Sequence, residues 1–529
     1  MQRWPLLGIL TLLACGRTEA SGTAPSASVL AAAAVAPVPA GSAGGKADAP
    51  ALPAVDLAGV AHPVPRTLPG SPRLHVRGLR IPIHERPDPA STKIGYLRLG
   101  TSAPTSAEPA GRAGCPGGWY SVAPRGFVCA GQGATLSAED PAVQIAAEWL
   151  PEPGRKLPWI YGTVRKPGPI YQRLPTRDEL AAAEPGYEAR MEEWLAADGE
   201  IGASYAQHVW LGHPGEIPDP RAAWAARKSD GVPSFLENGK RLPGPALRNR
   251  GEDLVIDRMK PRTGYSFLRT FFWEGRRYGL TTDLRLMPTD RLRPIQGSEN
   301  RGVRIGVDVD FPFALVRREG AEFKKREKGR LGSAGPAPYF KPVKLSGKKG
   351  FFGGRLHYET ADGLWISDKD ASPIEPAKRM PRWGTNGEKW IDVNVTTQRL
   401  VLYEGTKPVY ATLVSSGEAG LEDPEHTTAT KRGIFRIHTK HVSATMDSEE
   451  IGEEFELRDV PYVMYFDQEG YALHGAYWHD RFGTPKSHGC INLTPEDARR
   501  IFYWTEPQLP VGWHSVLQPL TGTVIFVHP

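Results

Sequence analysis

Trp390-Ile391-Asp392-Val393-Asn394-Val395, Arg399-Leu400-Val401-Leu402-Tyr403 and Val409-Tyr410-Ala411-Thr412-Leu413-Val414 follow one another with Thr396-Thr397-Gln398 and Glu404-Gly405-Thr406 between them. Short runs rich in β-branched and aromatic residues, closed by turn-forming residues, are hairpin strands. Gly433-Ile434-Phe435-Arg436-Ile437 and Tyr462-Val463-Met464-Tyr465-Phe466 continue the series, so the region from about Lys389 to the end is predicted to be a β domain. A helix is expected after Leu493. Thr494 suits its N-cap, Pro495 its first helical position and Glu496 and Asp497 its first turn, while Ala498, Ile501, Phe502 and Trp504 mark an apolar face.

Inside this domain stand Tyr471-Ala472-Leu473-His474-Gly475-Ala476-Tyr477-Trp478-His479, then Phe482-Gly483-Thr484, then Ser487-His488-Gly489-Cys490-Ile491-Asn492-Leu493. A thiol is only partly ionised at neutral pH, so a cysteine nucleophile needs an imidazole to lower its pKa or take its proton. His474 at the end of one strand and Cys490 at the edge of the next are the candidates. The backbone at Gly475 is placed to orient the imidazole as the third member of a triad does. Gly489 permits unusual backbone angles before the nucleophile, which helps to aim amides at an oxyanion. Ser487 and His488 would shape the site, with Asn492 bonding either substrate backbone or the cysteine loop.

This pattern resembles the L,D-transpeptidase catalytic family, whose signature is a His-Gly pair, a short loop, and Ser/Thr-His-Gly-Cys followed by a residue and Asn or Arg. The resemblance covers roughly residues 388–529. Two departures are visible: Ala429-Thr430-Lys431-Arg432-Gly433 lacks the Thr-Pro that many relatives have before this glycine, and residues 475–486 make a short loop. The resemblance implies that Cys490 attacks the third-residue carbonyl of a peptidoglycan tetrapeptide stem with His474 as base and later donor to the leaving amine. D-alanine would leave, and the acyl group would pass to a stem amine (3–3 crosslinking), to water (L,D-carboxypeptidase) or to a protein lysine (anchoring). It also implies carbapenem acylation of Cys490. No cofactor is implied. His474, His479, His488 and Cys490 lack the paired spacing of a zinc site, so no metal is expected. Tyr462, Tyr477 and Trp478 are candidates for the substrate groove, with core or rim as the alternative. A reading of another class makes the protein a non-catalytic wall-binding scaffold, against which the intact motif argues.

Working outward, 529 residues exceed one compact core. Lys and Arg number 65 against 59 Asp and Glu, and no basic run suggests a nucleic-acid tail. Residues 71–140, 155–300 and 301–380 share a plan: a Pro-containing extended segment, then a hairpin with aromatics and glycine, as at Glu274-Gly275 and Asp362-Gly363. They resemble SH3-like barrels, the second with a helical insertion over Asp178–Leu195 broken at Pro185-Gly186. The expected fold is therefore mainly β, a β-sandwich-like catalytic domain (388–529) preceded by small SH3-like β-barrels.

Arg3, the apolar run from Leu6 to Leu13, and Leu12-Leu13-Ala14-Cys15 make residues 1–14 an export signal resembling a lipobox. Cys15 is then the lipidated residue, and residues 15–70, rich in Ala, Pro, Gly and Ser, form a disordered tether. A cell-envelope lipoprotein facing the periplasm follows, with the outer membrane favoured. Its partners would be stem peptides and, through the anchor, the membrane. In an exported chain Cys115 and Cys129, fourteen positions apart around a turn, favour a disulfide, which leaves Cys490 over.

Overall fold

The computed structural model describes residues 72–529 except 132, 149, 152–153, 198–219, 240–252, 378, 449–454 and 520. The signal segment, Cys15 and the tether lie outside the described residues.

The protein is mainly β. In the C-terminal region Lys389–Asn394, Arg399–Glu404 and Lys407–Leu413 form the antiparallel meander that their alternation predicts, with Trp390 opposite Tyr403 and Leu400 opposite Thr412. Val524–His528 joins in parallel beside Lys389–Asn394, and Gly433–Arg436 closes that edge. A second layer holds Thr439–Ser448, Phe455–Tyr465, Ala472–Gly475 and Ile491–Leu493. Between the layers Ile391, Val393, Leu400 and Leu402 meet Met464, Leu473, Ile491 and Leu493. The helix Pro495–Trp504 contributes Ala498, Ile501, Phe502 and Trp504 to this core, capped by Thr494 Oγ1 accepting from Asp497 N–H. Burial of so many large side chains, each contributing about 1.5–3 kcal/mol, holds the sandwich together.

The opposite edge takes a strand from the third unit. Val303–Arg304, expected in the third unit, pairs with Lys407–Leu413. Val303 and Ile305 bury beside Val401, Ala411 and Leu413, and Gly302 N–H donates to the buried Asp497 carboxylate at 3.0 Å. A strand of two residues is too short to show periodicity in sequence.

Upstream, residues 73–135 form short antiparallel strands around Leu74, Ile83, Leu97, Tyr120 and Val128. Cys115 and Cys129 are joined by a disulfide, with Cα atoms 5.8 Å apart. The next strands run from Ile160–Val164 to Leu292–Ile295 and include the hairpin of Thr263–Trp273 with Arg276–Thr281, turning at Glu274-Gly275. Helices Arg177–Ala183 and Tyr187–Ala197 lie within this stretch, and Thr176 and Glu179 make a reciprocal capping box on the first. Residues 313–374 carry a seven-stranded sheet over Ala314, Val316, Leu345, Tyr358 and Ile366.

The first two upstream stretches share a sheet with the catalytic region. Thr263–Trp273 pairs in parallel with Phe455–Tyr465, and Lys93–Arg98 pairs with Ser515–Leu517. At this junction lies a buried carboxylate, Asp459. It accepts from Arg98 at 2.6 and 3.0 Å, from Ser443 at 2.8 Å, from Thr282 at 2.6 Å and from Ser266. Tyr161 donates its hydroxyl to the Asp459 carbonyl at 2.6 Å. Burial pushes the carboxyl pKa up, but the Arg98 guanidinium and the hydroxyl donors outweigh it and hold Asp459 well below the usual carboxylate range.

Candidate active site

His474 and Cys490 come together through strand pairing. Ala472–Gly475 and Ile491–Leu493 lie side by side in parallel, with Leu473 opposite Ile491 and His474 opposite Asn492. The His474-Gly475 pair ends the first strand, and Ser487-His488-Gly489-Cys490 ends the loop between the two. His474 Nδ1 faces its neighbour's carbonyl, Gly475 O, at 3.4 Å, which places the ring proton on Nδ1 and leaves Nε2 as the basic nitrogen. Burial lowers the His474 pKa to about 4, against a smaller opposing pull from the Gly475 carbonyl, so the ring is neutral at pH 7. The Trp478 indole lies 5.7 Å from it, ring to ring.

Cys490 directly precedes the second strand. Its sulfur lies 3.8 Å from Gly470 O. Ser487 Oγ donates to Cys490 O and accepts from Gly489 N–H at 3.2 Å, so this side chain ties the turn from both ends. Gly489 has φ +124°, and a Cβ there would stand 2.8 Å from the Tyr471 ring. Only glycine takes this backbone without strain. His488 is half-buried on the same turn.

Asn492 pairs with a histidine instead of the cysteine loop. Arg481 N–H donates to His479 Nδ1 at 3.2 Å, so the neutral ring carries its proton on Nε2, 3.0 Å from the Asn492 amide. That proton is best received by the amide oxygen, which is buried and otherwise lacks a donor. Burial drives the His479 pKa down to about 3, helped by Lys486, His474 and Arg481. His479 thus braces the loop between base and nucleophile, a role that sequence reading left open. A signal was present: His479 sits five residues after His474 within a short loop.

Two groove candidates belong to the core. Tyr462 is fully buried against Phe502 and Tyr503 and donates to Arg155 O. The strand breaks its alternation here, with Asp459 and Tyr462 both in left-handed backbone at φ 50° and 55° around Pro461, which turns Tyr462 inward. Tyr477 is buried too, its ring 4.3 Å from that of Tyr161 and its hydroxyl donating to Arg458 O. Trp478 alone of the three is half-buried.

Residues 388–525 match the YkuD family model, described as the L,D-transpeptidase catalytic domain, and this part of the chain is such a domain. Among curated proteins, "Putative L,D-transpeptidase YciB" of Bacillus subtilis (strain 168) is 31% identical over 139 residues, 21% of this chain. The match spans 59% of that relative's length. Among solved structures, the catalytic domain of the Enterococcus faecium L,D-transpeptidase is 25% identical, with 27% of this chain and 98% of that one covered at a TM-score of 0.21. An L,D-transpeptidase from Mycobacterium smegmatis is 18% identical, with 41% and 81% covered at a TM-score of 0.21.

Proposed function

We propose that the protein is a peptidoglycan L,D-transpeptidase of the cell envelope, acting through Cys490 and His474. The observation that carries the proposal is the parallel pairing of Ala472–Gly475 with Ile491–Leu493, which sets the imidazole strand beside the turn presenting the sulfur. In the first half-reaction His474 Nε2 takes the thiol proton, the sulfur attacks the carbonyl of the third stem residue, and a C–S bond forms. The tetrahedral oxyanion is held by backbone N–H groups of the turn, including that of Cys490. The C–N bond to D-alanine then breaks, its amine taking the proton back from His474. In the second half-reaction a stem amine attacks the thioester, its proton passes through His474 to the sulfur, and a 3–3 crosslink results. Water as acceptor would give a carboxypeptidase, and a protein lysine an anchoring reaction.

The lipobox-like start and the Ala/Pro/Gly/Ser-rich segment support an envelope lipoprotein whose catalytic region reaches the wall on a tether. Reduced protein from residue 72 onward, incubated with tetrapeptide muropeptides and followed by mass spectrometry, tests the activity. D-alanine loss with dimers is expected, and tripeptide alone would replace the transpeptidase by the carboxypeptidase. Globomycin-sensitive processing before Cys15 checks the anchor, and processing unaffected by the drug would remove it.

A further inference from the structure

The loop between His474 and the cysteine turn is gripped by the stretch 313–374. Tyr339 places its hydroxyl 3.0 Å from Asp480 O and 2.7 Å from Phe482 O, donating to this pair of carbonyls. The Phe340 and Phe482 rings meet edge to face at 6.3 Å. Gly483 lies so close to the Arg317 backbone that a Cβ would stand 2.6 Å from Arg317 O. Along this contact runs a groove of about 260 Å³, lined from one side by Arg317, Arg318, Glu319 and Tyr339 and from the other by Arg481, Phe482, Thr484 and Lys486.

The charges of this groove are unbalanced. Four cationic side chains line it against one carboxylate, Glu319. Lys486 is satisfied by Glu418 at 3.5 Å, but among the described residues no carboxylate lies within ion-pair distance of Arg317, Arg318 or Arg481. Arg317 is half-buried and donates only to carbonyls, Lys369 O and Thr396 O, each at 3.1 Å. Nearby Asp368 and Asp370 are engaged by Arg355 at 3.3 Å and by Ser367 Oγ at 2.6 Å. Arg317 and Arg318 are half-buried and Arg481 is exposed, and guanidinium groups without counter-charges favour an anion, their planar forks matching carboxylates. Lys486, one of its lining residues, directly precedes Ser487 in the turn that ends in Cys490.

We infer that this groove, built jointly by the 313–374 stretch and the 481–486 loop, binds the carboxylates of an acidic stem peptide during catalysis. The inference rests on the transpeptidase reading and adds a specificity site to it. Losing one charge-assisted hydrogen bond should cost at least ~10-fold in affinity.

The test uses the Cys490→Ala full chain and calorimetric titration with a tetrapeptide stem bearing free carboxylates or with the same stem amidated. The free-acid stem should bind at least ~10-fold tighter, and adding Arg318→Ala with Arg481→Ala should bring the two affinities together. Arg318→Lys with Arg481→Lys, which keeps the charge, should retain part of the preference and so exclude misfolding as the cause. No binding of either stem, equal binding of both, or a preference untouched by the arginine substitutions overturns the inference. So does displacement of the stem by inorganic phosphate at matching concentration, which would make the groove a general anion site. Turnover by the reduced, unsubstituted protein is measured separately. Charge-dependent binding without turnover defeats the enzyme reading and leaves the groove, whereas turnover with charge-blind binding defeats the groove alone.

Discussion

The upstream stretches hold the catalytic sandwich at two junctions built on opposite principles. At the Asp459 junction a single buried carboxylate gathers donors from three parts of the chain: Arg98, Ser266 with Thr282, and Ser443. At the Tyr339 junction the contact is mostly apolar, with Phe313, Leu315, Phe340 and Ile374 joining Trp390, Leu413, Ala476 and Phe482 in one core. Concentrated polar junctions depend on one residue, because removing it strands every partner without water. Apolar junctions distribute the same work over many contacts. The first kind fixes orientation, and the second leaves room beside it for a groove.

The sharpest way to break the contrast is Asp459→Ala. It leaves a buried guanidinium and three hydroxyls without their acceptor, and we expect a loss of about 3–5 kcal/mol, measured by urea denaturation. A loss under 1 kcal/mol would show that the network is not what joins these parts. Tyr339→Phe, at the other junction, removes one donor and keeps the ring. It should cost only about 1 kcal/mol, visible as faster hydrogen exchange across residues 480–483, and a cost equal to that of Asp459→Ala would erase the distinction.

Acid sharpens it further. Burial lowers His441 to about 3 and puts His514 well below its ordinary value at the Asp459 side, while His474 and His479 sit near 4 and 3 in the catalytic loop. These rings stay neutral in the fold but gain protons in the unfolded chain below about 6.5. The unfolded state therefore binds more protons, and stability, full above pH 6.5, is lost as pH falls toward 3–4. Replacing His441 by Gln should flatten that acid slope in thermal melts, and an unchanged slope would contradict it. The smallest effect concerns rate: kcat/KM should keep its base-limited arm near pH 4, where an arm near 6.5 would mean that His474 is solvated in the working enzyme.

The catalytic strands were legible because their signals are local. The turns at Thr396-Thr397-Gln398 and Glu404-Gly405 close hairpins, and the cap at Thr494-Pro495 starts the helix. Ala472–Gly475, which holds His474, pairs in parallel with Ile491–Leu493, which Cys490 directly precedes. Thr439–Ser448 escaped detection because Lys440, His441 and Ser443 look like a solvated run. All three are buried, and Lys440 caps the helix by donating to Phe502 O and Thr505 O, burial bringing its pKa down to about 7. Tyr462 misled because a left-handed backbone near Pro461 cancels the two-residue period. Arg98 and Asp459 are 361 positions apart, and nothing local in either segment announces the other.

The central claim is that reduced Cys490, served by His474, is the nucleophile of an L,D-transpeptidase. Its most direct test incubates reduced protein, beside Cys490→Ala and His474→Ala, with tetrapeptide muropeptides and with a carbapenem, and reads products and adducts by mass spectrometry. We predict D-alanine loss, crosslinked dimers and a carbapenem adduct on Cys490 in the unsubstituted protein, none of these with Cys490→Ala, and turnover reduced at least ~100-fold with His474→Ala. Equal silence of all three proteins on stems, with no adduct on Cys490, would contradict the claim and leave a wall-binding scaffold in its place.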